Sequence, residues 1–364
     1  MNVGLLIYGD IHTQSGGYLY DRQLLSYLQG QGDRVEIISL KAGSYIGDLI
    51  SRYLPDVIGS RQLDILIQDE LVYPRFFNLN ARLKARMNCP IVSLVHLLDS
   101  SRPRMGWRRV LTQVVERRYL SSVDGLILNS RHTRHKVCEL LSGDVPASIV
   151  AVPAADHQVS VTPEPSEAIP AQRDTGLLHI LYLGNVIRQK GLHVLLQALG
   201  RMKQGGFRLT VAGRLDMEPA YVKQIRRQIK SSDLEPSVQL TGPLSGPEVS
   251  SCYQQNDILV LPSVNEAYGI VYIEAQGFGL PVIGTHAGGA AEIIKHGRNG
   301  YLIDPGDSRS LAELLTALSH DRALLKFLGN NARDSYRQHP TWADSCAKIR
   351  AFLLDTIVAR DRES

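Results

Sequence analysis

Two glutamates eight residues apart, Glu266 and Glu274, stand in the stretch LPSVNEAYGIVYIEAQGFGLPVIGTHAGGAAE, residues 261–292. An apolar run ending near Leu261 leads into a short loop that bears Glu266. Gly269 allows close backbone approach where a helix begins, Ile270 follows it, and Glu274 falls on the second turn. The free N–H groups and dipole at such a helix start favour an anion such as a diphosphate. A carboxylate would repel that anion, so the two glutamates suit sugar or ribose hydroxyls; otherwise they are solvated surface groups.

A second turn, YLGNVIRQKGLHVLL, spans residues 182–196. Gly184 ends an apolar run, Gly191 opens a helix, and Asn185, Arg188 and Lys190 lie between them. Two cations at a strand-to-helix turn suit phosphate oxygens, although a solvated basic loop has the same composition. Neither GxxxxGK[ST] nor GxGxxG occurs. A third turn, Ser15-Gly16-Gly17, follows the first apolar run and permits a ligand to approach the backbone. His96 follows the run PIVSLV; a lone histidine in such a place is more often a packed group than a catalytic one.

These residues need a scaffold, and the apolar pattern supplies one. Short apolar runs at 2–8, 35–40, 64–68, 90–96, 125–129 and 148–152 alternate with helical patterns, such as Tyr18 to Gln29 with Leu19, Leu24, Leu25 and Leu28 on one face. The alternation restarts at 179–183, 207–212, 238–241, 258–261, 281–284 and 301–303. Strands alternating with helices form parallel sheets covered on both faces. Residues 158–176 are rich in proline and polar groups without periodicity. The expected organisation is an α/β chain: a Rossmann-like domain over 1–157, a linker over 158–178, a second Rossmann-like domain over 179–339, and a helix over 340–364. From Leu311 onward the chain reads as helical, with Leu311, Leu314, Leu315 and Leu318 on one face. Trp342, Ala347, Ile349, Phe352 and Leu353 lie on another.

The chain has 364 residues, 44% of them apolar and 21% charged, with a net charge of +4. Two cores are affordable at that length, and the mild positive charge suits anionic ligands without pointing to nucleic acid. Four scattered cysteines form no metal or redox motif and are expected as reduced, packed thiols. The start MNVGLLIYGD reads as a strand, and no apolar run reaches membrane-spanning length. A cytoplasmic protein, at most peripheral at a membrane's inner face, is expected. Residues 102–118, RPRMGWRRVLTQVVERR, hold six arginines against one glutamate. A solvated helix face is the favoured reading; the alternative is contact with an anionic lipid surface, which suits a lipid-linked acceptor.

In order and spacing these motifs resemble those of the family 4 glycosyltransferases, retaining enzymes of the GT-B fold. Glu266 and Glu274 match the family's E-x-[FY]-G-x4-E pattern, GNVIRQKG its phosphate loop, and GGAAE at 288–292 its GGxxE turn. Gly16-Gly17, His96, Ser130 and VPAAD at 152–156 are weaker matches, and the likeness is specific mainly from 179 to 306. The resemblance implies two Rossmann-like domains facing a cleft, with the terminal helix returning to the first domain. It implies a nucleoside-diphosphate-sugar donor, no resident cofactor, and a glycan, lipid-linked sugar or small-molecule acceptor. It places Glu274 on the ribose, Glu266 and His96 at the donor sugar, and Lys190 on the diphosphate with the amides of Gly269 and Ile270. Gly16 and Gly17 would admit the donor phosphate.

The sequence departs from the family in three places: Asn185 where arginine is usual, Ala267, and Ala154-Ala155. Arg188, three residues after Asn185, is a candidate for the missing charge. No DxD triplet occurs, so a metal held by paired aspartates is not expected. The alternatives are a catalytically silent nucleotide-sugar-binding homologue and a GT-B-fold sugar-nucleotide epimerase. An NAD-dependent dehydrogenase is disfavoured by the absent glycine pattern.

Overall fold

The structure, a computed structural model, describes residues 1–13, 15–40, 58–59, 61–101, 106–157, 176–202 and 206–363. Most of the expected linker (158–175) and part of the basic stretch (102–105) lie outside the described residues. The chain forms two compact units, Met1–Pro153 with Pro340–Ser364, and Ala154–His339.

The first unit carries the strands β1 (Asn2–Tyr8), β2 (Arg34–Leu40), β3 (Ile65–Asp69), β4 (Ile91–Val95), β5 (Gly125–Leu128) and β6 (Ala147–Val150). They pair in parallel in the order β2-β1-β3-β4-β5-β6. β3, β4 and β5 are buried along their whole length, as strands covered on both faces must be. Its helices are α1 (Gly16–Gly30), α2 (Tyr73–Phe76), α3 (Asn80–Lys84), α4 (Trp107–Leu120) and α5 (Arg131–Leu141). The Ser15 hydroxyl caps α1 by accepting from Tyr18 N at 3.2 Å. The buried face of α1 is Tyr20, Asp21, Leu24 and Leu28; Leu19 and Leu25 are only half-buried. The helix is thus turned so that a carboxylate, Asp21, points into the unit.

The second unit carries β7 (Leu178–Leu183), β8 (Phe207–Ala212), β9 (Val238–Gly242), β10 (Ile258–Val260), β11 (Val282–Thr285) and β12 (Gly300–Ile303), parallel in the order β12-β11-β10-β7-β8-β9. Its helices are α6 (Leu192–Leu199), α7 (Pro219–Ser231), α8 (Gly246–Gln255), α9 (Ile270–Gly277), α10 (Ala290–Ile293), α11 (Ser308–His320) and α12 (Arg322–Arg337). All twelve expected strands occur, displaced by at most two residues at either end.

The last helix, α13 (Trp342–Glu363), belongs to the first unit. Its buried positions are Trp342, Ser345, Cys346, Ile349 and Leu353, a heptad-like stripe. Ala347, expected on that face, is exposed, and Phe352 is half-buried with its ring against Gly125. Ser345 donates to Val152 O at 2.7 Å, and Arg350 bonds both oxygens of Asp33 at 2.7 and 3.2 Å.

In open α/β sheets ligands bind beyond the carboxyl ends of the strands, where the strand order reverses. That point lies between β1 and β3 in the first sheet and between β7 and β10 in the second. Gly16 and Gly17 follow β1 and Asp69 ends β3, and the loops bearing Lys190 and Glu266 follow the second pair.

Candidate functional site

In the second unit, β7 leads into Gly184, Asn185 and a 3-10 turn over Arg188–Lys190, while β10 leads into the loop that carries Glu266. The two loops are stitched together: Val264 N donates to Gln189 O at 2.8 Å, and the Gln189 amide donates to Asn265 O at 3.0 Å. Gly191, at φ +73°, lies so close to Pro262 O that a Cβ would stand 2.0 Å away. This approach brings Lys190 Nζ to 2.6 Å from Glu266 Oε2, and Ser263 donates to the same oxygen at 3.1 Å.

The GGAAE turn holds the Glu266 loop from its other side. Gly289 N donates to Glu266 O at 2.8 Å, and a Cβ on Gly288 would lie 1.9 Å from that carbonyl. Gly269, at φ +100°, caps α9 directly after the loop; a Cβ there would strike the Tyr272 ring at 2.3 Å. The backbone of Gly269 and Ile270 therefore starts a helix beside a lysine, an arrangement suited to an anion.

Glu274 lies on α9, where it accepts from the Tyr253 hydroxyl at 2.6 Å and faces His157 Nε2 at 3.3 Å. Only 8% of Glu266 and 7% of Glu274 is exposed, which overturns their reading as solvated surface groups. Arg188 is not brought to the Lys190–Glu266 pair. Its guanidinium donates to Gln224 at 2.7 Å and lies 5.2 Å from the centre of the Tyr221 ring, both on α7. Asn185 is half-buried, and its carbonyl accepts from Tyr182 at 3.4 Å.

In the first unit the lone histidine proves to have company. His96 Nε2 lies 3.5 Å from Asp21 Oδ1 and 3.7 Å from Asp69 Oδ2. Gly17 of α1 passes against the imidazole, with 3.3 Å between a would-be Cβ and His96 Cδ2, while Gly16 stays exposed. Both Asp21 oxygens are buried without a hydrogen-bond partner, so His96 is their source of compensation. Burial alone would lower the His96 pKa, but Asp21, Asp69 and Glu70 outweigh it and raise it to about 9. Burial, reinforced by Asp21, raises Asp69 to about 7. Burial raises Glu70 to about 8 although it accepts from the amides of His96 and Leu97. Asp21, Asp69 and His96 present ligand atoms within 4.8 Å of one another, a spacing a divalent cation would accept. With His96 protonated, the imidazolium supplies the positive charge itself.

Sequence reasoning missed Asp21, Asp69, His157, Tyr253 and Ser263. Ser263 sits three residues before Glu266 in the same loop and was within reach of motif reading. The others converge from separate elements, so no local spacing marks them.

Residues 167–335 match the family model "Glycosyl transferases group 1". The D-inositol 3-phosphate glycosyltransferase of Pseudarthrobacter chlorophenolicus is 29% identical over 259 residues, covering 67% of this chain and 60% of that protein. The chain spans 52–60% of the length of the first curated relatives it matches. Among solved structures, sucrose-phosphate synthase of Thermosynechococcus elongatus superposes with a TM-score of 0.81 at 17% identity, covering 98% of this chain and 99% of that one. Anabaena HepE in complex with UDP-glucose gives 0.77 at 19% identity, covering 98% and 100%. The chain has the GT-B fold: two parallel sheets flanked by helices, and a terminal helix that belongs with the first.

Proposed function

We propose that this protein is a retaining glycosyltransferase that moves a sugar from a nucleoside-diphosphate sugar to an acceptor hydroxyl. The observation that carries the reading is the Lys190–Glu266 pair, 2.6 Å apart, beside the glycine-started helix α9 at the sheet's reversal point. Sugar transfer breaks a C–O bond to a diphosphate, so negative charge grows on the leaving phosphate. Lys190 and the amides of Gly269 and Ile270 stabilise that charge in place before reaction. Glu266, freed from Lys190 when the diphosphate binds, accepts from the hydroxyls of the donor sugar. Glu274, fixed by Tyr253 and His157, accepts from the ribose.

Two carboxylates flanking a scissile bond would suit a glycosidase, but Glu274 is committed inside α9's packing. Transfer therefore proceeds on one face of the sugar, with the leaving phosphate oxygen taking the acceptor's proton.

One observation favours a second reading, a nucleotide-sugar-binding homologue without turnover. Asn185 carries no charge, and Arg188 is held on α7. Turnover by the purified protein would dismiss it.

Thermal unfolding with GDP, UDP and ADP tests the donor site, with UDP first because HepE was solved with UDP-glucose. A nucleotide at about a hundred times its Kd stabilises by about 2.7 kcal/mol. One of the three is expected to raise the melting temperature, and Glu274→Ala to abolish that rise. Absence of any rise at millimolar nucleotide defeats the proposal.

A further inference from the structure

The first unit contains a cavity of about 930 Å³ that the donor chemistry leaves unused. Leu71, Phe77, Leu98, Trp107, Leu111 and Val115 line it. Four polar side chains of its wall are tied to other protein groups. Glu70 accepts from Leu97 N at 2.8 Å, Glu116 from Ser100 N at 3.2 Å, Tyr73 donates to Asp99 at 2.9 Å, and Tyr119 to Ser93 at 3.0 Å. The void is thus faced mainly by hydrocarbon, and its volume is at the upper end for a small-molecule pocket.

Helix α4 forms one wall and also the mouth. Trp107, Val110, Leu111 and Val114 follow the i, i+3, i+4, i+7 pattern of one helix face and are 70, 60, 54 and 58% exposed. Trp107 and Leu111 belong to both the cavity lining and this exposed stripe, so the two apolar surfaces are continuous. Arg108, Arg109, Arg117 and Arg118 lie on the same helix, while its one carboxylate, Glu116, is buried on backbone amides. An apolar stripe among arginines that make no ion pair with the described residues is complementary to the interfacial zone of an anionic bilayer. Glu70, one of the residues that line the cavity, also binds the amides of His96 and Leu97.

We propose that the cavity takes the hydrocarbon tail of a lipid acceptor, and that α4 lies on the anionic surface from which this lipid is drawn. The inference deepens the glycosyltransferase reading by naming its acceptor class.

The test compares maltose with dodecyl maltoside, below its micellar concentration, as probes binding to the full chain, followed by calorimetry. Dodecyl maltoside is expected to bind at least roughly tenfold more tightly than maltose. The double variant Trp107→Ser, Leu111→Ser is expected to lose this advantage, because both side chains are exposed and removable without unfolding. Met217→Ser and Phe327→Ser, exposed apolar positions of the second unit, should retain it. Vesicles of phosphatidylcholine with phosphatidylglycerol should sediment the wild type but not the double variant, and pure phosphatidylcholine should sediment neither.

Equal affinity for the two sugars, or equal loss in the control variants, overturns the proposal. So does a dimer that the double variant dissociates while lipid binding is absent, since the stripe then serves a second copy of the chain. Nucleotide melting shifts recorded on the same samples separate the failures. A shift without tail binding sinks this inference alone, whereas a missing shift sinks the donor reading whatever the tail does.

Discussion

At the scale of single residues, the second unit neutralises its site charges in pairs, whereas the first crowds them. Lys190 and Glu266 cancel each other at 2.6 Å. His96, by contrast, is surrounded by Asp21, Asp69 and Glu70; these carboxylates outweigh burial at His96, while burial raises Asp69 and Glu70, so all three hold protons more firmly when folded. Stability therefore falls as pH rises through their titrations. The His96 contribution is complete below its ordinary value of 6.5 and is lost as pH rises through about 9. Thermal unfolding followed by circular dichroism should show the melting temperature declining over that window. In His96→Gln the decline should be shallower, though not flat, because Glu70 still titrates up to about 8. An equal slope in both proteins would mean that His96 is neutral in the fold. Lys190, Glu266 and Glu274 were legible in the sequence because each lies in one contiguous loop and helix start. Asp21 and Asp69 were not, because α1 and β3 bring them to His96 from distances along the chain that no local pattern records.

At the scale of elements, the glycines of the second unit decide which loops can touch. Gly288 must combine φ +96° with a backbone approach that leaves 1.9 Å for a Cβ, whereas Gly297, at φ +73°, has open space around it. Gly297→Ala should therefore cost about 1 kcal/mol, the strain of the left-handed backbone alone. Gly288→Ala adds displacement of the Glu266 carbonyl and should cost roughly 2–3 kcal/mol or more, with loss of the nucleotide-induced melting shift. Urea unfolding of the two variants, with and without nucleotide, makes the comparison; equal costs would show that the Glu266 loop yields freely. The strands were legible for a related reason: parallel strands buried on both faces read as short apolar runs between punctuating glycines and prolines. Helix faces were read less well. Tyr20 and Asp21 displaced Leu19 and Leu25 from the deepest side of α1, because a buried ion cluster and a Tyr20 hydroxyl bonded to Ala151 O outweigh simple leucine periodicity.

At the scale of the whole molecule, the two units differ in how the chain builds them. The second is one continuous run, Ala154–His339, whereas the first needs residues from both ends of the sequence. Contacts such as Ser345 with Val152 and Arg350 with Asp33 span 193 and 317 positions. Ile349 and Leu353 are wholly buried, so Leu353→Ala should destabilise the first unit by about 2–5 kcal/mol while leaving the nucleotide-induced shift of the second intact. Differential scanning calorimetry resolves this as a downward move of one transition; a common downward move of both would refute independent melting. The split has a further consequence during synthesis. A ribosome delivers the chain from its first residue, and domains fold as units while they emerge. The second unit can close as soon as His339 has left the exit tunnel. The first, although made earlier, must wait half-built through the intervening sequence with the seat of α13 uncovered. It is the nascent chain's exposed period, and a chaperone that holds this polypeptide would be needed by its beginning until its end has been translated.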